Sequence, residues 1–182
     1  MEEVILSVNK WELVQNEVPN KITKISKAEI FRQNPQTAAD LLSQSGTVFV
    51  QKSQLGGGSP MIRGFATNRV LLVMDGVRMN NAIYRSGNLQ NVISIDPLSV
   101  ETAEVIFGPG SIIYGSDAIG GVMNFFTLQP QLTKDDKPII DGTGALRFAS
   151  ASMEKTGHFD ISLGFKKWGF VTSASYTDFD HL

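Results

Sequence analysis

The 182-residue chain has a formal net charge of −2, with 42% hydrophobic and 19% charged residues, a balance that suits a folded protein and argues against global disorder. Cysteine is absent, which excludes a disulfide framework, a thiolate zinc site and a cysteine nucleophile. No basic cluster supports nucleic-acid binding, which draws on many grouped lysines and arginines. No stretch reaches the roughly 18 consecutive apolar residues of a spanning helix. Met1-Glu2-Glu3 does not open a secretory signal, so an exported protein would be represented by a mature or partial form.

In chain order, Glu2–Val8 is a short extended run with strand character, followed by polar sequence to Pro19. Lys21–Ile25 predicts a strand, and Ser26 with Glu29 has capping-box spacing for a helix over Lys27–Arg32. A second helix is expected from Asn34 as N-cap and Pro35 as first residue, with Ala38, Leu41 and Leu42 on one face and Gly46 as its stop. Thr47–Gln51 reads as a strand, 56–60 (Gly-Gly-Gly-Ser-Pro) as a flexible loop, and Met61–Phe65 as another strand. Arg69–Met74 predicts a stronger strand turning at Asp75-Gly76 and returning through Val77–Met79. A polar loop then runs through Asn91. Asp96-Pro97 starts a turn, Glu101–Phe107 alternates as a strand, Ile112–Tyr114 forms a brief helix, and Val122–Thr127 is a strand.

Short strands mixed with short helices, without regular βα alternation, point to an α+β globule. After Thr127 the character changes. Leu128–Asp141 reads as connecting sequence. Gly144–Ser152, Gly157–Lys166 and Trp168–Asp178 follow, each about as long as a tilted membrane strand of roughly 9–11 residues. Phe159, Ile161, Leu163 and Phe165 share one face opposite His158, Asp160, Ser162 and Gly164. Trp168, Phe170, Thr172, Ala174 and Tyr176 do the same in the next segment. The pattern fits a transmembrane β-barrel, and equally a half-buried antiparallel sheet.

Catalytic patterns do not emerge. The two histidines, His158 and His181, lie in the final segments and read as polar strand or terminal residues. Gly108-Pro109-Gly110-Ser111 through Gly115-Ser116 resembles a phosphate loop but has Asp117 where the lysine-bearing motif would continue. No nucleophile elbow or paired carboxylates appear, so no enzyme, metal or cofactor is expected.

From Asn34 to Phe126 the chain resembles the plug domain of TonB-dependent receptors. The resemblance rests on Ala39-Asp40-Leu41-Leu42, Ile62-Arg63-Gly64-Phe65, 70–78 (Val-Leu-Leu-Val-Met-Asp-Gly-Val-Arg), Asp96-Pro97, 100–106 (Val-Glu-Thr-Ala-Glu-Val-Ile), Gly108-Pro109-Gly110-Ser111 to Tyr114-Gly115, and Gly120-Gly121-Val122-Met123-Asn124. It implies a TonB-box tail at 1–18, a plug at 19–127, a linker at 128–143 and the first strands of an unfinished barrel at 144–182. The fold class expected is an α+β plug globule followed by antiparallel strands of an incomplete transmembrane β-barrel. A wide barrel of about 22 strands has a lumen that needs such a plug, and an open sheet edge in lipid would leave backbone groups unpaired.

The resemblance also implies function, as gating and active uptake of a scarce nutrient (siderophore, haem, cobalamin or oligosaccharide class) across the cell outer membrane. Its implied partners are the TonB periplasmic domain, the remainder of the barrel, a small ligand and outer-membrane lipid. Glu3, Val4, Ile5, Leu6, Ser7 and Val8 match the TonB box, an extended peptide able to add to a partner's sheet edge. Apical loops at about Lys52–Ser59 and Arg78–Asn91 would meet ligand, with Tyr84, Arg85, Asn88 and Gln90 as candidate contacts. Arg63, with Glu101 and Glu104, is the expected plug–barrel contact. Phe107 departs from the family, which commonly has a basic residue there, and this puts a two-arginine arrangement in doubt. Two alternatives stand beside this reading: a free-standing soluble binding or signalling module without a barrel, and a periplasmic enzyme.

Overall fold

The computed structural model describes residues 4–5, 13–14, 20–53, 57–66, 69–79, 92, 94–135, 137–150 and 152–179. The chain divides into two compact units, Met1–Thr127 and Leu128–Leu182.

The first unit is built on a five-stranded mixed sheet with strand order β3-β8-β9-β6-β7, formed by β3 (Ile22–Ser26), β6 (Val70–Met74), β7 (Val77–Arg78), β8 (Val100–Phe107) and β9 (Gly121–Thr127). β6 and β9 pair in parallel and the other pairs are antiparallel. Two short ribbons complete the strands of this unit: β1 (Val4–Ile5) with β2 (Leu13–Val14), and β4 (Phe49–Ser53) with β5 (Gly57–Met61). Alternation along the central strands fills both faces of the sheet. Ile25, Val70, Leu72, Val105, Met123 and Phe125 face one core with α1 (Lys27–Gln33) and α2 (Ala38–Gln44). Leu71, Val73, Ile106 and Val122 face the other, with Ala118 and Tyr114 of α3 (Ser111–Tyr114).

The first helix begins as expected, the Ser26 hydroxyl accepting from the Glu29 N–H at 3.4 Å. The second begins three residues later than Asn34 and Pro35 suggested. Asn34 instead ends α1 in the left-handed conformation (φ 48°), its N–H donating to the Ile30 carbonyl. Thr37 is the N-cap of α2, in a reciprocal box in which Thr37 Oγ1 accepts from Asp40 N–H and the Asp40 carboxylate accepts from Thr37 N–H. Asparagine tolerates left-handed geometry as well as it caps, and the Thr37–Asp40 box satisfies two otherwise orphaned donors.

The glycine run also differs. Gly57 and Gly58 form part of β5 rather than a loop, pairing with Ser53 and Lys52. A Cβ on Gly58 would lie 2.7 Å from Val50 Cγ1 and 2.8 Å from Ala39 Cβ. Glycine stands there because the strand passes too close to its neighbours for any side chain. Met61 closes that strand, and Ile62–Phe65 is a tight turn: Ile62 and Phe65 exchange backbone hydrogen bonds at 2.9 and 2.8 Å, with Arg63 and Gly64 both left-handed (φ 48° and 83°).

Gly120 follows the same rule of close approach. Its missing Cβ would sit 2.3 Å from Phe65 Cβ and 3.0 Å from the Arg69 carbonyl oxygen, while its N–H donates to that carbonyl at 2.7 Å. Neither neighbour is a flexible side-chain tip, so Gly120→Ala is expected to destabilise the first unit by about 3 kcal/mol, the upper end of ordinary overpacking. Equilibrium denaturation checks this, and an unchanged midpoint would contradict the packing described.

The second unit is a three-stranded antiparallel sheet of β10 (Ile139–Ala149), β11 (Glu154–Gly164) and β12 (Gly169–Asp178). β10 starts at Ile139, within the stretch read as connecting sequence, because Ile139 and Ile140 continue the ladder opposite Gly164 and Leu163. Its burial is inverted relative to a soluble sheet. Leu146, Phe148, Phe159, Phe170 and Tyr176 are exposed, at 94%, 62%, 51%, 53% and 74%. Glu154, Thr156, His158 and Asp160 are buried. The register places Leu146 and Phe148 beside Gly157 and Lys155, and Phe159 beside Gly144 and Ala174, so the exposed residues belong to one continuous face.

On the opposite face the polar groups satisfy one another. Arg147 Nε donates to Glu154 Oε1 at 3.0 Å, and Thr156 Oγ1 donates to the same oxygen at 2.6 Å. His158 Nδ1 lies 2.6 Å from Ser175 Oγ, and its Nε2 lies 3.3 Å from Asp160 Oδ2. An apolar exterior over a hydrogen-bonded polar interior is the arrangement of a membrane barrel wall. Three strands leave that wall unclosed.

Candidate functional site

The Ile62–Phe65 turn thrusts Arg63 outward at a backbone angle that costs a non-glycine residue energy, a cost usually found where a side chain must be aimed. Its guanidinium carbon lies 5.5 Å from the Phe107 ring centroid. Lys21 Nζ lies 5.7 Å from the same ring. Phe107 is 7% exposed, so its ring is held in the core and offers its π-system to both cations. The residue that departs from the family pattern is thus a fixed platform beside Arg63, a role that sequence distance hid.

Glu101 and Glu104, both on β8, diverge. Glu101 is half-buried, whereas Glu104 is 1% exposed and stands in register between Lys24 and Asn124. Tyr114 packs on the same side of the sheet. Burial, with the Glu104 carboxylate second, pushes the Tyr114 phenol up from 10 to about 12, and a hydrogen bond with the Asn124 side chain offsets part of the rise. A phenol with a raised folded pKa leaves stability intact below the unfolded value near 10 and loses it as pH climbs towards 12. Wild-type stability is therefore expected to fall across pH 10–12 more steeply than that of Tyr114→Phe. Parallel denaturation curves at these pH values check it, and identical slopes would refute it.

The β6–β7 hairpin closes on Asp75 and Gly76, both left-handed (φ 48° and 82°), as a two-residue mirror-image turn demands. The Asp75 carboxylate accepts from Thr127 N–H at 2.9 Å and from Thr127 Oγ1 at 2.7 Å, pinning the last residue of β9. Arg78, following the turn, pairs with Asp117 at 2.7 Å, and its guanidinium passes close to Gly115. This hairpin supports one foot of the polar loop, where Met79 N–H donates to Leu72 O at 2.9 Å. Val92, fully buried, anchors the other foot in the core.

Tyr84, Arg85, Asn88 and Gln90 lie outside the described residues, as do Glu3, Leu6, Ser7 and Val8 of the N-terminal motif. Val4 and Ile5 pair with Val14 and Leu13. At the β4–β5 tip, residues 54–56 also lie outside the described set. His158 takes its place in the polar ladder of the barrel-like sheet, and His181 lies outside the described residues. Among the described residues, no group of three or more His, Cys, Asp or Glu is placed to hold a metal.

A small mixed sheet with short helices packed on both of its faces, followed by antiparallel strands whose apolar face is exposed, defines a plug joined to part of a barrel wall. Residues 14–122 match the TonB-dependent Receptor Plug Domain family, and the chain belongs to that family. It is 34% identical over 175 residues to the vitamin B12 transporter BtuB of Vibrio vulnificus strain CMCP6, covering 94% of this chain and 27% of that protein. It is 37% identical over 163 residues to BtuB of strain YJ016, covering 87% and 26%. The chain spans about a quarter of the length of these curated relatives.

Solved structures share the fold. The pyoverdine outer membrane receptor FpvA of Pseudomonas aeruginosa PAO1, bound to pyoverdine, matches with a TM-score of 0.72 at 18% identity, covering 97% of this chain and 24% of that one. The copper transporter OprC matches with a TM-score of 0.74 at 17% identity, covering 87% and 24%.

Proposed function

We propose that this chain is the plug and first barrel strands of an outer-membrane transporter, which gates the barrel and couples nutrient uptake to TonB. The observation that carries the reading is the inverted second sheet, in a chain that belongs to the plug family. Phe148, Phe159, Phe170 and Leu146 are exposed together on one face, where each fully exposed side chain forgoes roughly 1.5–3 kcal/mol of burial in water. Lipid removes that penalty. A free-standing soluble module would bear it.

In this reading ligand binds over the loop that begins after Met79, with Tyr84, Arg85, Asn88 and Gln90 as its contacts. Occupancy releases Glu3–Val8 to the periplasmic domain of TonB. Arg63, held beside Phe107, meets acidic residues of the barrel wall, with Glu101 as a secondary contact and Glu104 acting from within the sheet. The polar loop suits a chelate, a sugar or a corrinoid alike. Cobalamin is the first cargo to test, since the two Vibrio vulnificus relatives described above are named for its transport.

The test is uptake of radiolabelled cobalamin by cells whose only candidate corrinoid receptor is the full-length protein. Energy-dependent accumulation supports the assignment. Surface binding without accumulation would place the defect in TonB coupling. Outer-membrane insertion with neither would remove cobalamin and leave siderophore, haem and oligosaccharide cargoes to be tried. Recovery of the full-length protein as a soluble periplasmic species would sink the transporter reading.

A further inference from the structure

The turn between β11 and β12 lies apart in sequence from every residue that the proposed transport reading assigns a role. Phe165 N–H donates to the Trp168 carbonyl at 2.9 Å, and the two rings stack with centroids 4.0 Å apart. Between them, Lys166 and Lys167 project from an exposed turn. The incoming chain packs against this end: Thr133 N–H donates to the Phe165 carbonyl at 3.3 Å, and Thr133 Oγ1 accepts from Asp135 N–H at 3.1 Å. A cavity of about 300 Å³ results, bounded by the aromatic pair, the two lysines, Asp135 and Pro138.

The geometry points to a binding site for the headgroup of phosphatidylethanolamine. The lysines supply ammonium donors to a phosphate oxygen, the stronger class of hydrogen bond because both partners are charged. Asp135 supplies a carboxylate for the ethanolamine ammonium, which has three N–H donors. By strand alternation Trp168 shares the face of Phe170 and Tyr176, both exposed, so acyl chains attached to that headgroup would run down the apolar face. Trp168 itself is 60% exposed, and an indole at such a rim suits the boundary between hydrocarbon and headgroups. A choline headgroup has no N–H for Asp135, and a glycerol headgroup has no cation. The site therefore distinguishes lipids that share the phosphate.

This inference rests on the proposed transporter reading, which puts the end of the sheet where β10 begins and β11 turns into β12 at the periplasmic, phospholipid-lined leaflet. The experiment is native mass spectrometry of the full-length receptor titrated with phosphatidylethanolamine, phosphatidylcholine, phosphatidylglycerol and lipopolysaccharide. Phosphatidylethanolamine adducts are expected at the lowest lipid concentration. The double variant Lys166→Ala/Lys167→Ala, which removes both ammonium donors, should weaken them by about tenfold or more. Asp135→Asn, nearly isosteric, should abolish the preference over phosphatidylcholine, and it keeps the test decisive if the lysine variant assembles poorly. Equal binding of the ethanolamine and choline lipids by wild type, a preference for phosphatidylglycerol or lipopolysaccharide, or unchanged adducts in both variants would overturn the site. Failure of the receptor to enter the outer membrane counts against the transporter reading instead. Heat-modifiable electrophoretic migration, which reports a folded barrel, separates the two.

Discussion

Leu6→Pro is expected to abolish energised uptake by the full-length protein while leaving ligand binding at the surface unchanged. A peptide that adds to a partner's sheet edge gains affinity mainly through alternating main-chain hydrogen bonds. Proline removes one N–H and fixes φ near −65°, so the strand can neither donate at that residue nor keep its twist. Leu6 directly follows Val4–Ile5, which pair with Val14 and Leu13. A partner strand can therefore act only by extending this ribbon or replacing one side of it. Leu6→Ala keeps the backbone intact and should retain most uptake. The pair separates loss of main-chain pairing from loss of a side-chain contact. Uptake by Leu6→Pro at the wild-type rate would remove Glu3–Val8 as the coupling segment, and loss of surface binding in that variant would show that the change had damaged more than coupling.

Phe159→Arg is expected to cost barrel assembly about 2–4 kcal/mol, the penalty for a cation on the lipid face near the bilayer midplane. Phe159 is the central residue of β11, 51% exposed, with Gly144 and Ala174 as its cross-strand neighbours. Neither neighbour can shield or pair with a guanidinium. Lys155 shares the face but stands at the strand end, where a long cationic side chain reaches the headgroups. The readout is the denaturant midpoint of the refolded full-length receptor in lipid vesicles, with Phe159→Leu as the apolar control. The prediction also discriminates between environments. In a soluble sheet the same substitution would replace an exposed aromatic with a charge and leave stability unchanged or improved, and that outcome would contradict the barrel-wall assignment.

Much of the first unit was legible because its signals are local. Ser26 with Glu29 marks a helix start wherever it occurs, and Asp75-Gly76 between apolar runs marks a two-residue hairpin. Local signals failed where one residue type serves two purposes. Asn34 has the chemistry of an N-cap and the tolerance of a left-handed C-cap, and the choice between them lay in the Thr37–Asp40 pair downstream. Glycines 57 and 58 in a Gly-Gly-Gly run suggest conformational freedom, whereas Gly58 is there for the space its missing Cβ leaves to Val50 and Ala39. That reason is invisible until the strands are packed.

Arg63 shows a further boundary. Its motif was evident from adjacent residues, and the plug resemblance supplied its expected role. Its two-residue left-handed turn and its position over Phe107, far along the chain, exist only in the folded sheet.

By itself the sequence determined the α+β character of residues 19–127, the turn chemistry that punctuates it, and the period-two pattern in the three segments after Gly144. These follow from backbone sterics and from alternation, which act over a few residues. Alternation cannot say which face is the inside, because a soluble sheet and a barrel wall share the same period. The tertiary structure decided that, by burying Glu154, Thr156, His158 and Asp160 and leaving Phe159 and Leu146 exposed. Burial is a property of what surrounds a side chain, and surroundings are assembled from residues distant in sequence.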